Sequence, residues 1–151
     1  MLCRFVFLLC LSVPAVGTPC FEAPQTIAQL LEQTDAVVVG KLSNVKTWSD
    51  DVVDYGEGTI VVSEVLHGAT PQTREVTLRW SNKSYTTGRL EFEDTGKTEY
   101  VWMLWRARDG SYRAHHSARQ APLKKKAEII AGIAAKKKAQ ASTPATGRKA
   151  E

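Results

Sequence analysis

Along most of the chain, hydrophobic residues alternate with polar ones or run in short β-branched blocks, a pattern typical of strands. In "EVTLRW", Val76, Leu78 and Trp80 face one way and polar residues face the other, which predicts a half-buried strand. "DAVVVGKLSNV" and "TIVVSEVL" are rich in valine and predict two further, more deeply buried strands. Gly40, inside the first of these runs, indicates a bulge or a bend.

The stretch "YVWMLWRA" is apolar on both of its faces, as in a central strand or a strand of a closed sheet. Asp109 and Gly110 then predict a tight turn, and "SYRAHH" is the strand expected to return from it. A turn-rich segment before "YVWMLWRA" holds one more candidate strand, at residues 90–92. Together these patterns predict five or six strands.

One short helix is expected before the strands. Ile27, Leu30 and Leu31 follow Pro24 with the i, i+3, i+4 spacing of an apolar helix face, which predicts a helix that packs on a sheet. The fold class is therefore mainly β. A sheet of this size leaves its edges unpaired unless it curls closed, and five closing strands with one helix describe an antiparallel OB-like barrel. A β-sandwich fragment is the alternative.

The first 17 residues have the anatomy of a secretory signal peptide. Arg4 supplies a positive charge, residues 5–13 form an apolar run, and Ala15 and Gly17 are small residues before a cleavage point. The run is too short to span a bilayer, and no second long apolar run follows. We therefore expect an exported protein, periplasmic or extracellular, with no transmembrane segment in its mature chain.

Cysteine usage bounds how such a mature domain can be stabilised. Cys3 and Cys10 would leave with the signal peptide, so Cys20 would be the single thiol of the mature chain. No intrachain disulfide could then form. An exported domain without disulfides must rely on its hydrophobic core.

Charge divides the remaining chain into two parts. Residues 18–120, the expected barrel domain, hold 11 Lys and Arg against 14 Asp and Glu, whereas residues 121–151 hold 8 against 2. "PLKKKAEIIAGIAAKKKAQ" predicts a helix in this basic tail, and the polar end after it predicts disorder. The tail either binds an anionic partner, such as a membrane surface, nucleic acid or an acidic polymer, or only keeps the protein soluble. Its concentrated lysines are Lys124, Lys125, Lys126, Lys136, Lys137 and Lys138.

An early cysteine, a short helix, "TDAVVVGKLSNV", "SEVLHG" and "YVWMLW" with "DGSYR" follow one another in this order. This succession, over about residues 20–117, resembles a group of exported, mostly bacterial proteins with the netrin-like OB barrel that tissue inhibitors of metalloproteinases also have. The resemblance implies the barrel fold. It also implies that Cys20 corresponds to the early cysteine that, in the inhibitors, chelates the protease metal through its amine and carbonyl.

Three histidines are candidate metal ligands. His67 stands in a turn, and the adjacent His115 and His116 would point to opposite faces of a strand. The sequence has no Cys/His spacing of the zinc type, and no nucleophile motif or phosphate loop. We therefore predict no enzymatic activity, no cofactor and no bound metal, and keep a metal-dependent enzyme as an alternative.

Acidic residues are concentrated in two polar segments. Glu91 and Glu93 in the second would share one face of a strand, where a catalytic acid–base pair would also need a cleft and shifted pKa values. The first segment could gather oxygen ligands for calcium, although its spacing is not that of an EF-hand loop and a solvated hairpin connection explains it as well. Its four carboxylates are those of Asp50, Asp51, Asp54 and Glu57.

As a whole, the sequence predicts an exported, non-enzymatic binding or interaction module on an OB-like barrel. Recognition is expected in the loops "SDDVVDYGEG" and "SNKSYTTGRLEFEDTGK", because OB barrels bind through loops and exposed aromatic side chains. The partner would be a protein or an envelope component, since an acidic barrel repels nucleic acid phosphates. A metalloprotease inhibitor that acts through the Cys20 region is the alternative. The candidate recognition residues are Cys20, Trp48, Asp51, Asp54, Tyr55, Glu57, His67 and Tyr85.

Overall fold

A closed ring of five strands forms the centre of the protein. The structure, a computed structural model, describes residues 25–68, 74–83, 90–114 and 117–142. Two short 3-10 turns, Ser117–Arg119 and Leu123–Lys125, flank the last strand. The elements are α1 (Ile27–Glu32), β1 (Ala36–Ser49), β2 (Val53–His67), β3 (Glu75–Lys83), β4 (Tyr100–Arg106), β5 (Tyr112–Arg113), β6 (Gln120–Pro122) and α2 (Lys126–Ser142).

The strands pair in the order β1-β2-β3-β5-β4, and β4 pairs again with β1 to close the ring, while β6 is added to the other side of β4. The prediction of a mainly β, OB-like barrel with a short N-terminal helix is thus confirmed. One detail of the predicted antiparallel barrel is wrong, because β3 and β5 run parallel where Leu78 pairs with Tyr112. An odd number of strands cannot alternate in direction all the way round a ring, so a five-stranded barrel must contain one parallel pair.

The barrel interior is filled by the side chains that the period of two indicated. Val76, Leu78 and Trp80 are all buried on β3, as predicted. Trp102 of β4 is fully buried, and its indole Nε1 donates a hydrogen bond to the carbonyl of Gly40 at 3.1 Å. The expected irregularity at this glycine is present as a shift in register between β1 and β2.

A second core lies outside the barrel, between its wall and the two helices. Val37 and Val39 of β1, with Val101 and Met103 of β4, point outward and are covered by the helices. Double burial explains why the sequences of β1 and β4 are apolar on both faces. The helix residues that complete this core are Leu30 and Leu31 of α1 and Ile129 and Ile133 of α2.

Helix α2 therefore belongs to the packed structure, although its sequence lies in the segment predicted to be a tail. Lys136 is part of the connection, because its Nζ donates to the carbonyl of Leu31 at 2.6 Å and so binds the C-terminal end of α1. Lys126 forms an ion pair with Glu64 of β2. The hydrophobic contacts of Ile129 and Ile133 and these two lysines hold the helix on the barrel.

The strand predicted at residues 90–92 is wrong, since this segment has no regular secondary structure. Leu90 and Phe92 are nevertheless buried. The side chain of Asn82 donates to the carbonyl of Leu90 at 2.7 Å and accepts from its amide at 2.9 Å. The backbone amide of Thr95 donates to the carbonyl of Leu42 at 3.0 Å, and the Thr95 hydroxyl accepts from the amide of Leu42 at 2.9 Å. Side chains thus replace the ladder that a strand would have made.

Neither helix within the described ranges is long and apolar enough to cross a membrane. Residues 1–17, predicted as a signal peptide, lie outside the part of the chain that the structure describes. The same holds for Cys20, Tyr85, His115 and His116.

Gly56 gives a test of how tightly the barrel is packed. A Cβ atom at this position would lie 2.0 Å from Cε2 of Trp80, so Gly56→Ala must displace a buried indole. We expect the free energy of unfolding to fall by about 1–3 kcal/mol, as measured by urea denaturation. Gly58→Ala is the matched control, because its Cβ would meet a terminal methyl of Leu42 at 2.8 Å, which can move at lower cost. Equal losses in the two variants would contradict this account of the packing at Trp80.

Candidate functional site

An open cleft of about 420 Å³ lies at the end of the barrel where the β1–β2 hairpin turns. Three segments build it: the hairpin, the end of β3 and residues 90–94. The two loops in which the sequence placed recognition therefore contribute to the same cleft. The residues that line the cleft include Trp48, Ser49, Asp54, Tyr55, Trp80, Asn82, Glu91, Phe92, Glu93 and Asp94.

An aromatic pair forms one wall of the cleft. Trp48 and Tyr55 are directly paired residues of β1 and β2, and their rings stack with centroids 5.8 Å apart and planes inclined by 14°. Trp48 is 50% exposed. The stack therefore presents a wide aromatic surface to solvent, held in place from below by the strand pairing.

Asp50 fixes the turn that carries this pair. Its Oδ1 accepts hydrogen bonds from the amides of Val52 and Val53 at 2.9 and 2.6 Å. Its Oδ2 accepts one from the hydroxyl of Tyr55 at 3.0 Å. The two amides and the hydroxyl hold the pKa of Asp50 below its usual value. The hydrogen bond to the Asp50 carboxylate, with a smaller effect of burial, raises the pKa of Tyr55.

The charged side chains that line the cleft are carboxylates. Asp54 lies on the hairpin side, and Glu91, Glu93 and Asp94 lie on the facing segment. None of the described lining residues is basic. Because these charges share one concave surface, they add to a negative potential that concentrates cations in the cleft.

The floor of the cleft continues into the hydrophobic core. Trp80 and Phe92 are 4% and 3% exposed and meet edge to face with centroids 5.3 Å apart. Phe92 makes a second edge contact with the buried Trp102 at 5.6 Å. Residues 90–94 are therefore anchored through a chain of aromatic rings, and the acidic wall is held on the rigid barrel.

The candidate recognition residues divide into separate groups. Trp48, Asp54 and Tyr55 lie together in the cleft, and Asp54 accepts a short hydrogen bond from the hydroxyl of Ser49 at 2.5 Å. Asp51 is exposed in the hairpin turn and does not line the cleft.

Glu57 lies on β2 outside the cleft lining. Its Oε2 accepts from Nε of Arg79 at 2.6 Å, and Arg79 also binds Asp109 at 3.2 Å. This hydrogen bond with Glu57 is the main reason why the pKa of Arg79 is raised. The four carboxylates that could have bound calcium therefore have different surroundings and do not form one set of ligands. Within the described residues, no group of three or more His, Cys, Asp or Glu side chains is arranged to hold a metal ion.

His67 is the last residue of β2, at the opposite end of this strand from the cleft. It pairs with Val37 of β1. Its partial burial lowers its pKa, and the nearby charges of Lys137 and Lys136 lower it further. Among the six concentrated lysines, Lys126 and Lys136 have structural partners. The other four, Lys124, Lys125, Lys137 and Lys138, are exposed.

The sequence did not predict that Asn82 binds Leu90 and that residues 90–94 line the cleft. Glu91 and Glu93, the candidate acid–base pair, line the same cleft as the Trp48–Tyr55 stack. The run "EFED" was the available signal, since an acidic segment interrupted by one phenylalanine can bury the ring and expose the carboxylates.

No protein-family model matches the chain, and no curated protein matches its sequence. The function must therefore be inferred from the chemistry of the cleft. Exposed indole and phenol faces attract cations through their quadrupoles, and the carboxylates add attraction at longer range. Arginine and lysine side chains combine both requirements, because each carries its charge on an apolar stem.

The Asp50–Tyr55 hydrogen bond can be tested by titration. Asp50→Asn keeps an acceptor for the turn amides but removes the negative charge that favours the neutral phenol. We expect the pKa of Tyr55 to fall towards its ordinary value of about 10, measured by ultraviolet absorbance of tyrosinate against a Tyr55→Phe variant. Asp51→Asn is the control, because Asp50 is the carboxylate that acts on Tyr55. A shift of the same size in both variants would refute the assignment.

Proposed function

We propose that this protein is an exported, non-enzymatic binding module whose recognition site is the acidic aromatic cleft. Its ligand is a basic segment of a partner protein that inserts an arginine or lysine side chain. The observation that carries the proposal is that the exposed Trp48–Tyr55 stack lines the same cleft as Glu91, Glu93 and Asp94. Each side of the cleft supplies one of the two attractions that a guanidinium or ammonium group uses.

The composition of the cleft also supports a preference between ligands. An OB barrel with exposed aromatic rings can stack nucleic acid bases, but phosphates would be repelled by the four carboxylates. A neutral apolar ligand would gain no attraction from the negative charge of the cleft. A basic peptide neutralises them and places its aliphatic stems on the rings.

Export is part of the proposal and rests on the N-terminal sequence pattern. The partner would then be a periplasmic or extracellular protein, or another component of the cell envelope. The described domain has a continuous hydrophobic interior and a second core beneath its helices, which suits a domain that has no disulfide to stabilise it.

Two alternatives from the sequence stay predictions. Inhibition of a metalloprotease depends on Cys20, which lies outside the described residues. A metal-dependent enzyme would need a set of metal ligands, and the described residues contain no group of three or more His, Cys, Asp or Glu side chains that could hold a metal ion. Neither alternative gains support from the cleft.

Binding can be measured with a fluorescent tetra-arginine peptide amide and, for comparison, a tetra-citrulline peptide of the same shape without charge. We expect the full chain to bind the arginine peptide, more weakly as salt is added. Trp48→Leu should weaken binding by about two- to thirtyfold, the range of a cation–π contact. Glu91→Gln with Glu93→Gln should weaken it by about three- to tenfold. Fluorescence anisotropy gives the affinities.

Matched controls separate the cleft from general surface charge. Trp105→Leu removes another exposed tryptophan, 41% accessible and outside the cleft, and Glu128→Gln removes a carboxylate from α2. Both should bind like the unaltered protein. The proposal fails if citrulline and arginine peptides bind equally well, or if the control variants lose as much affinity as the cleft variants.

The exposed lysines support a second candidate function, attachment to an anionic surface. Lys124, Lys125, Lys137 and Lys138 lie on the helical layer outside the barrel. This layer packs on the first half of β1, whereas the acidic cleft is built on its last residues. The two regions could therefore bind different partners at once.

Substitution of Lys137 and Lys138 by glutamine tests this second function without removing the helix. Each lysine near an anionic membrane contributes about 1 kcal/mol, so the double variant should bind vesicles of equal phosphatidylglycerol and phosphatidylcholine about thirtyfold more weakly. Sedimentation with the vesicles measures the bound fraction. Lys46→Gln with Lys97→Gln, two exposed lysines of the barrel, is the control. Equal losses in both double variants would exclude a specific role for α2.

A further inference from the structure

Arg119, the last residue of the 3-10 turn before β6, is 1% exposed. Its Nη1 donates hydrogen bonds to Oγ1 of Thr34 and to the carbonyl of Met103, both at 3.2 Å. Its Nε is also buried and has no acceptor among the described residues. A guanidinium has five N–H donors, so this buried group is incompletely satisfied.

Arg119 has no ion-pair partner within the described part of the chain. Burial lowers its pKa. A buried cation without a partner is strongly unfavourable. A ligand can supply the missing negative charge. An ionisable side chain that has a shifted pKa and lines a cavity is therefore a candidate binding residue.

Arg119 forms part of the wall of a cavity of about 440 Å³ near the end of α1. The cavity is also lined by Glu32, Gln33, Asp35 and Trp105. It shares no residue with the acidic aromatic cleft. One wall thus holds a buried cation, while the others supply two carboxylates, an amide and a half-exposed indole.

We propose that this cavity binds a small α-amino acid. Its carboxylate pairs with the Arg119 guanidinium, through the Nε that has no acceptor among the described residues. Its ammonium group is attracted by Glu32 and Asp35, and its apolar side chain lies against Trp105. A simple anion would be repelled by those two carboxylates, whereas a zwitterion leaves the total charge of the cavity unchanged. Guanidinium and carboxylate are matched in shape, since two parallel hydrogen bonds can form between them.

The test uses the full chain and three compounds with one carbon skeleton. L-phenylalanine carries both charged groups, phenylalaninamide lacks the carboxylate, and 3-phenylpropionate lacks the ammonium. Binding is followed by the NMR signal of the Trp105 indole N–H, which a Trp105→Phe variant assigns. We expect L-phenylalanine to shift this signal with saturation, 3-phenylpropionate to bind more weakly, and phenylalaninamide to leave it unchanged.

Substitutions connect this binding to Arg119. Arg119→Met should weaken L-phenylalanine binding by about ten- to a hundredfold, and it should fold, because an apolar residue of similar volume often replaces a buried charge without loss of stability. Arg119→Lys keeps the charge without the planar donor pair and should give an intermediate affinity. Arg113→Met, which alters a partly exposed arginine, and Trp48→Leu should bind like the unaltered protein.

Three results would overturn the proposal. The first is equal binding of L-phenylalanine by the protein and by Arg119→Met. The second is equal binding of phenylalaninamide and L-phenylalanine, and the third is the absence of any shift with L-phenylalanine.

Discussion

The structure depends on the burial of the first half of β1 from both sides. Val38 points into the barrel, while Val37 and Val39 point outward under the helices. Both edges of this half are paired, one with β2 and one with β4. A strand that is buried on both faces must carry hydrophobic residues at consecutive positions. It also joins the two cores, so that helix packing and barrel closure stabilise each other.

The candidate cleft follows from what happens further along the same strand. Strand β4 leaves β1 after Gly40, whereas β2 stays paired with it as far as Ser49. The outer half of the hairpin therefore extends beyond the closed part of the barrel and exposes Trp48. Residues 90–94 meet this extension because Asn82 binds Leu90 and Thr95 binds Leu42. A rigid strand thus supplies both the core and one wall of the recognition site.

Much of the architecture could be predicted from local pattern. Three local patterns each record the immediate surroundings of one strand: the alternation in "EVTLRW", the doubly apolar "YVWMLW" and the glycine at position 40. The prediction made from each of them is confirmed. Residues 90–92 were misread as a strand because burial of Leu90 and Phe92 has the same alternation as a strand. The side chain of Asn82 binds Leu90, and Thr95 binds Leu42, which is 53 residues away in the sequence. These bonds replace the expected ladder and leave no signal in the local pattern.

By itself, the sequence determined the fold class, the elements that form the barrel and the concentration of acidic and aromatic residues in two loops. Only the tertiary structure decided that these loops share a cleft, that α2 packs on the barrel, and that Lys126 and Lys136 are bound while four other lysines are exposed. It also decided that Arg119 is buried without a described carboxylate partner. The reason is physical: periodicity records which face of an element is apolar, whereas proximity between distant residues depends on how strands close into a ring.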